Sequence, residues 1–227
     1  MRTAILALLL AGATADAQTP SGKPDLDPIV LITDEVAGRG LPHYANAWWQ
    51  WAFSMPQSES PVRDQTGVHC ALNQEGPVWF LAGGFGSSRI FRTCTVPVGK
   101  HIFFPLINML EYTPAGSDRD CARVKAASAA NNDRYVQLRA MLNDVPLEGL
   151  ADNRISSEEC FDPLERVPDI YAPPSWYPAA TDGYWLMLRP LPAGEHVLSF
   201  QAFYTNQGTT YGDMVQNITY RLQVTDE

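Results

Sequence analysis

Short runs rich in aromatic and β-branched residues recur along most of this chain: "VWFLAG" (78–83), "FRTCTV" (91–96), "HIFFPLIN" (101–108), "YWLMLRPL" (184–191), "HVLSFQAFY" (196–204) and "ITYRLQV" (218–224). Each is bounded by Gly, Pro, Asn or Asp, which is the punctuation of strands and turns. In "YVQLRAMLNDVPLEGL", Val136, Leu138 and Ala140 alternate with polar residues before Asn143-Asp144, so this stretch predicts a hairpin rather than a helix. Helix is predicted in two places. In "HYANAWWQWAFSMP" (43–56), Tyr44, Trp48, Trp51 and Met55 share one helical face while Trp49 and Phe53 lie on another. A segment apolar nearly all round should be enclosed by protein. "DRDCARVKAASAANN" begins with acidic residues, which suit a helix N-terminus, and ends in Asn131-Asn132, which suits a stop. The pattern predicts a mainly β protein, an antiparallel, jelly-roll-like β-sandwich with one or two short helices packed against it.

An internal echo supports that reading. "VPVGKHIFF" (96–104) and "LPAGEHVLSF" (191–200) share the order apolar, Pro, small, Gly, charged, His, β-branched, Phe. A Pro-x-Gly turn feeding a β run is how a sandwich starts a strand at its rim, so the two copies predict equivalent edges.

Composition sets the compartment. "MRTAILALLLAGATADAQ" has one basic residue, an apolar run from Ala4 to Ala11 and a small-x-small pattern at Ala15–Ala17, the layout of a cleaved secretory signal at 1–17. The apolar run is too short to span a bilayer. "QTPSGKPDLDP" predicts a flexible arm over 18–28, leaving 29–227 as one domain with a single core. A net charge of −9 argues against nucleic acid and anionic membrane surfaces as partners. In an exported chain, four cysteines predict two disulfides. Of three pairings, Cys70 with Cys94 and Cys121 with Cys160 close the shortest loops, and each would contribute about 3 kcal/mol by loop entropy. No C-x-x-C spacing suggests zinc or a redox centre.

The strings "WWQW", "VWFLAG", "CTVPVGKHIFFPLIN", "DGYWLMLRPLPAGEH" and "ITYRLQV" together resemble a family of secreted bacterial proteins of unknown function. The resemblance covers most of the mature chain and implies a single exported β-rich domain. It implies no activity, so candidate chemistry must come from the residues themselves.

There is no G-x-S-x-G elbow, no H-E-x-x-H and no P-loop. "AGGFGSS" (82–88) lacks the strand–helix alternation of a dinucleotide site and reads as a rim loop. His101 and His196 occupy matching places in the echoed turns, yet two histidines without a third ligand make a weak metal signal, so no metal site is assigned. Glu111 and Asn108 follow a strongly apolar strand, where polar side chains can face a cleft; with His101 and Asp182 they are the candidate catalytic residues. Two carboxylates about 5 to 10 Å apart would suit glycoside hydrolysis, and an Asn, His and Tyr cluster would suit a polysaccharide lyase. Trp49, Tyr184 and Trp185 are the candidate ligand-stacking residues. No cofactor is expected; the oxygen-rich "GSDRD" and "NND" could hold a structural calcium. The sequon at Asn217 falls inside an expected strand. The first functional expectation is a secreted or periplasmic module that binds an extracellular carbohydrate or related polymer. Alternatives are a secreted glycoside hydrolase or polysaccharide lyase, and a structural, envelope-associated protein.

Overall fold

A computed structural model describes residues 27–86, 89–114, 116–133, 136–168, 174–204 and 213–226. The expected signal peptide at 1–17 and residues 18–26 of the expected arm lie outside them. The arm's last residues are tied down, with the Pro28 carbonyl accepting from Arg189 N–H at 2.7 Å.

In chain order the elements are β1 (Glu35–Val36), β2 (Arg39–Gly40), α1 (Leu41–Phe53), β3 (Val78–Phe80), β4 (Arg89–Pro97), β5 (His101–Tyr112), α2 (Cys121–Ala129), β6 (Val136–Leu142), β7 (Val145–Pro146), β8 (Arg154–Ser156), β9 (Ala179–Leu188), β10 (Gly194–Tyr204) and β11 (Met214–Thr225). The long strands form a five-stranded sheet, β4-β11-β10-β6-β7, and a four-stranded sheet, β3-β5-β9-β8. The protein is therefore mainly β, two sheets packed together with short helices. The expected hairpin is present as β6 and β7, turned by Asn143 and Asp144 at φ 51° and 64°, a left-handed pair that short Asn and Asp side chains tolerate.

The sheets are not wholly antiparallel. β4 runs parallel to β11, and β3 parallel to β5. The reason lies in the connections: β3 reaches β5 only through β4, which sits in the opposite sheet, so that pair is joined by a crossover and not a hairpin. The echoed turns make these crossings. Pro97-Val98-Gly99 carries the chain from β4 to β5, and Pro192-Ala193-Gly194 carries it from β9 to β10, each changing sheets. Gly99 and Gly194 have φ of +78° and +134°, which a side chain would strain.

Inward residues of both sheets make one apolar cluster, including Phe104, Leu106, Leu186, Phe200 and Leu222. A second cluster fills the space between the far face of the four-stranded sheet and α1, around Trp48, Trp51, Phe80, Phe103 and Trp185. Trp48 and Trp51 are 1 % and 0 % exposed, and their indole N–H groups donate to the carbonyls of Leu81 and Leu72, each at 2.9 Å. The tryptophan segment is core, with Trp49 alone of the three left half-buried.

α2 starts at Asp120, whose carboxylate accepts from Arg123 N–H at 2.8 Å, satisfying one of the orphan donors of the first turn. The chain then bridges the two sheets: Asn131 donates to the Tyr204 hydroxyl and Asn132 to the Asp182 carboxylate. Disulfides join Cys70 to Cys94 and Cys121 to Cys160, the second fastening α2 to the loop before β9.

Candidate binding face

The two sheets differ in what covers them. α1 lies on the outer side of the four-stranded sheet, whereas among the described residues no element lies over the outer side of the five-stranded one. Strict alternation produces this second face. In β10 the inward Leu198, Phe200, Ala202 and Tyr204 are buried, while Val197, Ser199, Gln201 and Phe203 point outward.

Register sorts the outward residues into cross-strand rows. Arg139, Gln201, Asn217 and Arg89 form one row across β6, β10, β11 and β4. Gln137, Phe203 and Val215 lie on one side of it; Met141, Ser199, Thr219 and Phe91 lie on the other, followed by Val197, Arg221 and Thr93. Gln201 donates to Asn217 Oδ1 at 3.4 Å, so the middle of the row is a linked pair of amides. A shallow groove of about 320 Å³ runs over Gln137, Arg139, Gln201, Phe203 and Asn217, and a second depression of about 280 Å³ lies among Phe91, Thr93, Val197, Thr219 and Arg221. Phe91 is 59 % exposed. Amides and hydroxyls both donate and accept, arginines donate only, and a phenyl face offers apolar contact, so the face can bind a flat polar molecule without any reacting group.

The four candidate catalytic residues do not converge. His101 opens β5 and Glu111 stands ten positions along it, which at the strand rise separates them by about 30 Å. Glu111 and Asp182 do share a face: Asp182 is opposite Met109 and Glu111 opposite Ala180, making them diagonal neighbours about 7–8 Å apart. Both are sequestered. Arg119 holds Glu111 at 3.2 Å. Asp182 accepts from Arg154, Asn132 and Ser156 at 3.1, 2.9 and 2.5 Å and is 1 % exposed. Arg154 reaches on to Asp133 at 2.7 Å, so this cluster pins the end of α2 to β8 and β9. Asn108 lies opposite Gly183, on the α1 side of the sheet, with its amide nitrogen buried and without a partner.

His101 and His196 are likewise held apart in role. Burial and the nearby Arg189 charge lower the His101 pKa. His196 is buried, its Nδ1 within 3.0 Å of the Asn143 amide and its Nε2 within 2.8 Å of the Pro192 carbonyl. Among the described residues no three His, Cys, Asp or Glu side chains gather as a metal site. The oxygen-rich loops spend their groups internally, Asp120 on the helix cap and Asp133 on Arg154.

Of the candidate stacking residues, Trp185 is fully buried, its ring 5.2 Å from and nearly parallel to Phe103, with Trp48 at its edge. It has no open face. Tyr184 is half-buried against the inter-sheet core. Trp49 donates to Thr181 Oγ1 at 2.8 Å and belongs to a half-buried aromatic strip, Trp49–Phe53–Trp176–Tyr112, in which successive rings lie 5.7, 5.5 and 4.3 Å apart. Those rings are largely turned upon one another.

Sequence reading missed the row Arg139–Gln201–Asn217–Arg89. The alternation that exposes each residue is visible in the sequence, but the pairing of β4 with β11, over a hundred positions apart, is not.

Comparison with known proteins finds no matching family model, no matching curated protein and no matching solved structure. Among the described residues no helix is long and apolar enough to cross a membrane.

Proposed function

We propose that the protein is an exported carbohydrate-binding module that presents the outer face of its five-stranded sheet to an extracellular glycan polymer. The observation that carries this reading is the uncovered row Arg139–Gln201–Asn217–Arg89 with Phe203 and Phe91 on either side. A sugar ring presents hydroxyls at its rim and C–H groups on its faces. Amides, hydroxyls and guanidinium groups match the first, and phenyl rings the second. An extended polymer also suits an open sheet better than an enclosed pocket, because its own length is not confined. Two disulfides accord with an oxidising compartment.

Turnover has less support. Glu111 and Asp182 stand at a spacing used by glycosidases, but arginines occupy both and Asp182 has almost no exposed surface, leaving no place for a glycosidic bond between them.

Affinity electrophoresis of the mature chain through gels containing neutral or acidic polysaccharides tests the reading. Retention on at least one polymer is expected, with at least a tenfold loss of affinity in a Gln201→Ala/Asn217→Ala variant that melts like the parent. Free migration in every gel contradicts it.

A further inference from the structure

We infer that the polymer taken by this face is anionic, a polyuronate whose carboxylates are met by Arg89, Arg139 and Arg221; this rests on the carbohydrate-binding reading and narrows it to one substrate class.

Charge is distributed against the grain of the whole molecule. The chain carries a net −9, yet the outward positions of β4, β6, β10 and β11 hold three arginines and a single carboxylate, Glu195. That carboxylate sits near the far end of the face and accepts from Gln223 at 3.0 Å. All three arginines are exposed, and none of them has an ion-pair partner among the described residues. Elsewhere Arg119, Arg154, Arg166 and Arg189 each meet a carboxylate, while Arg39, Arg63 and Arg123 are exposed without an ion pair among the described residues but lie on separate elements or loops. What sets the sheet face apart is that three unpaired arginines share one surface with a single carboxylate.

The spacing fits a chain rather than one compact anion. Arg89 and Arg139 stand at the two ends of one row, three strand spacings or about 14 Å apart, with Gln201 and Asn217 between them. Arg221 lies four residues along β11 from Asn217, about 13 Å away. Their attachment points are spread along and across the sheet, not gathered in one turn or loop as in a compact phosphate or carboxylate site. A polymer with one carboxylate per ring can reach several at once, and each guanidinium can engage a carboxylate through two parallel N–H bonds. The intervening amides and hydroxyls, Gln137, Gln201, Asn217, Ser199 and Thr219, suit the sugar hydroxyls between charges. The chain's net −9 opposes any polyanion, and most of all a duplex nucleic acid with one charge per about 1.7 Å, whereas a polyuronate carries only one charge per ring, a spacing that arginines about 14 Å apart can meet.

The test uses polygalacturonate and its fully methyl-esterified form, which share a backbone and differ in charge. In affinity electrophoresis and in biolayer interferometry on the immobilised polymers, the mature chain should bind polygalacturonate at least tenfold tighter than the ester. The preference should shrink severalfold between 0.05 and 0.5 M NaCl, because screening acts on exposed charges. An R89Q/R139Q/R221Q variant should lose the preference while melting like the parent, and R123Q, an exposed arginine on α2, should keep it. Equal binding of both polymers overturns the inference and leaves the carbohydrate reading standing. Binding of neither, nor of any other polysaccharide, overturns both. A parent that sediments as a dimer, binds no polygalacturonate and becomes monomeric in the triple variant also overturns it, assigning the arginines to self-association.

Discussion

Gly183 and Asn108 face each other across β9 and β5 at a distance that excludes a side chain on the glycine: an ideal Cβ there would stand 2.7 Å from Asn108 Cα and 2.6 Å from the Ile107 carbonyl oxygen. The contact follows a register shift between Pro105 and Ile107, where the two central strands of the four-stranded sheet bend past each other. Gly183 separates Asp182, which anchors the end of α2, from Tyr184, which packs into the inter-sheet core.

Gly183→Ala should therefore destabilise the protein by about 1–3 kcal/mol, the usual cost of overpacking, since the obstructing atoms are backbone and cannot swing away. A urea unfolding curve measures it. An unchanged midpoint would mean that the strands do not approach this closely.

Trp48→Ala and Trp51→Ala should each cost about 3–5 kcal/mol, through lost burial, a residual cavity and an indole N–H bond to a main-chain carbonyl. Trp49→Ala should cost markedly less, because its ring is only half-buried. Thermal melts of the three variants settle the order. A Trp48→Ala protein that melts like its parent would remove the helix from the core.

Stability should rise with pH across the histidine range. Burial and Arg189 lower the His101 pKa, so the folded state binds fewer protons than the unfolded chain near pH 6.5. The contribution is fully present above that pH and is lost as the pH falls through the lower folded value. His43, lowered by burial and by Arg39, acts in the same direction, though its exposure weakens the effect. Urea midpoints at pH 5.5 and 7.5 should differ more for the parent than for a His43→Gln/His101→Gln variant. Identical differences contradict this.

Secondary structure was legible from local pattern because each strand alternates against one core. The tryptophan helix and the β6–β7 turn at Asn143-Asp144 were legible for the same local reasons. The echoed Pro-x-Gly turns marked equivalent edges, and the structure shows what makes them equivalent: both exchange sheets. What sequence could not give was pairing. Arg92 occupies an inward position of β4, where alternation alone calls for an apolar residue; its guanidinium is buried against the carbonyls of Val62, Asp64, Ala82 and Gly83 and the Tyr220 hydroxyl, partners supplied by distant chain. The candidate catalytic set failed for a related reason. Glu111 and Asp182 are polar residues in apolar strands because Arg119, Arg154 and Asn132 satisfy them, and those partners come from segments whose placement no local pattern announces.

Amide chemical-shift mapping of residues 18–227 titrated with short oligogalacturonates tests most directly whether glycan binds on the outer face of the five-stranded sheet. Binding there should give the largest shifts at Arg139, Gln201, Phe203, Asn217 and Arg89, with Trp49, Phe53 and Tyr112 unmoved. Shifts confined instead to the aromatic strip from Trp49 to Tyr112, on the opposite side of the sandwich, would contradict it.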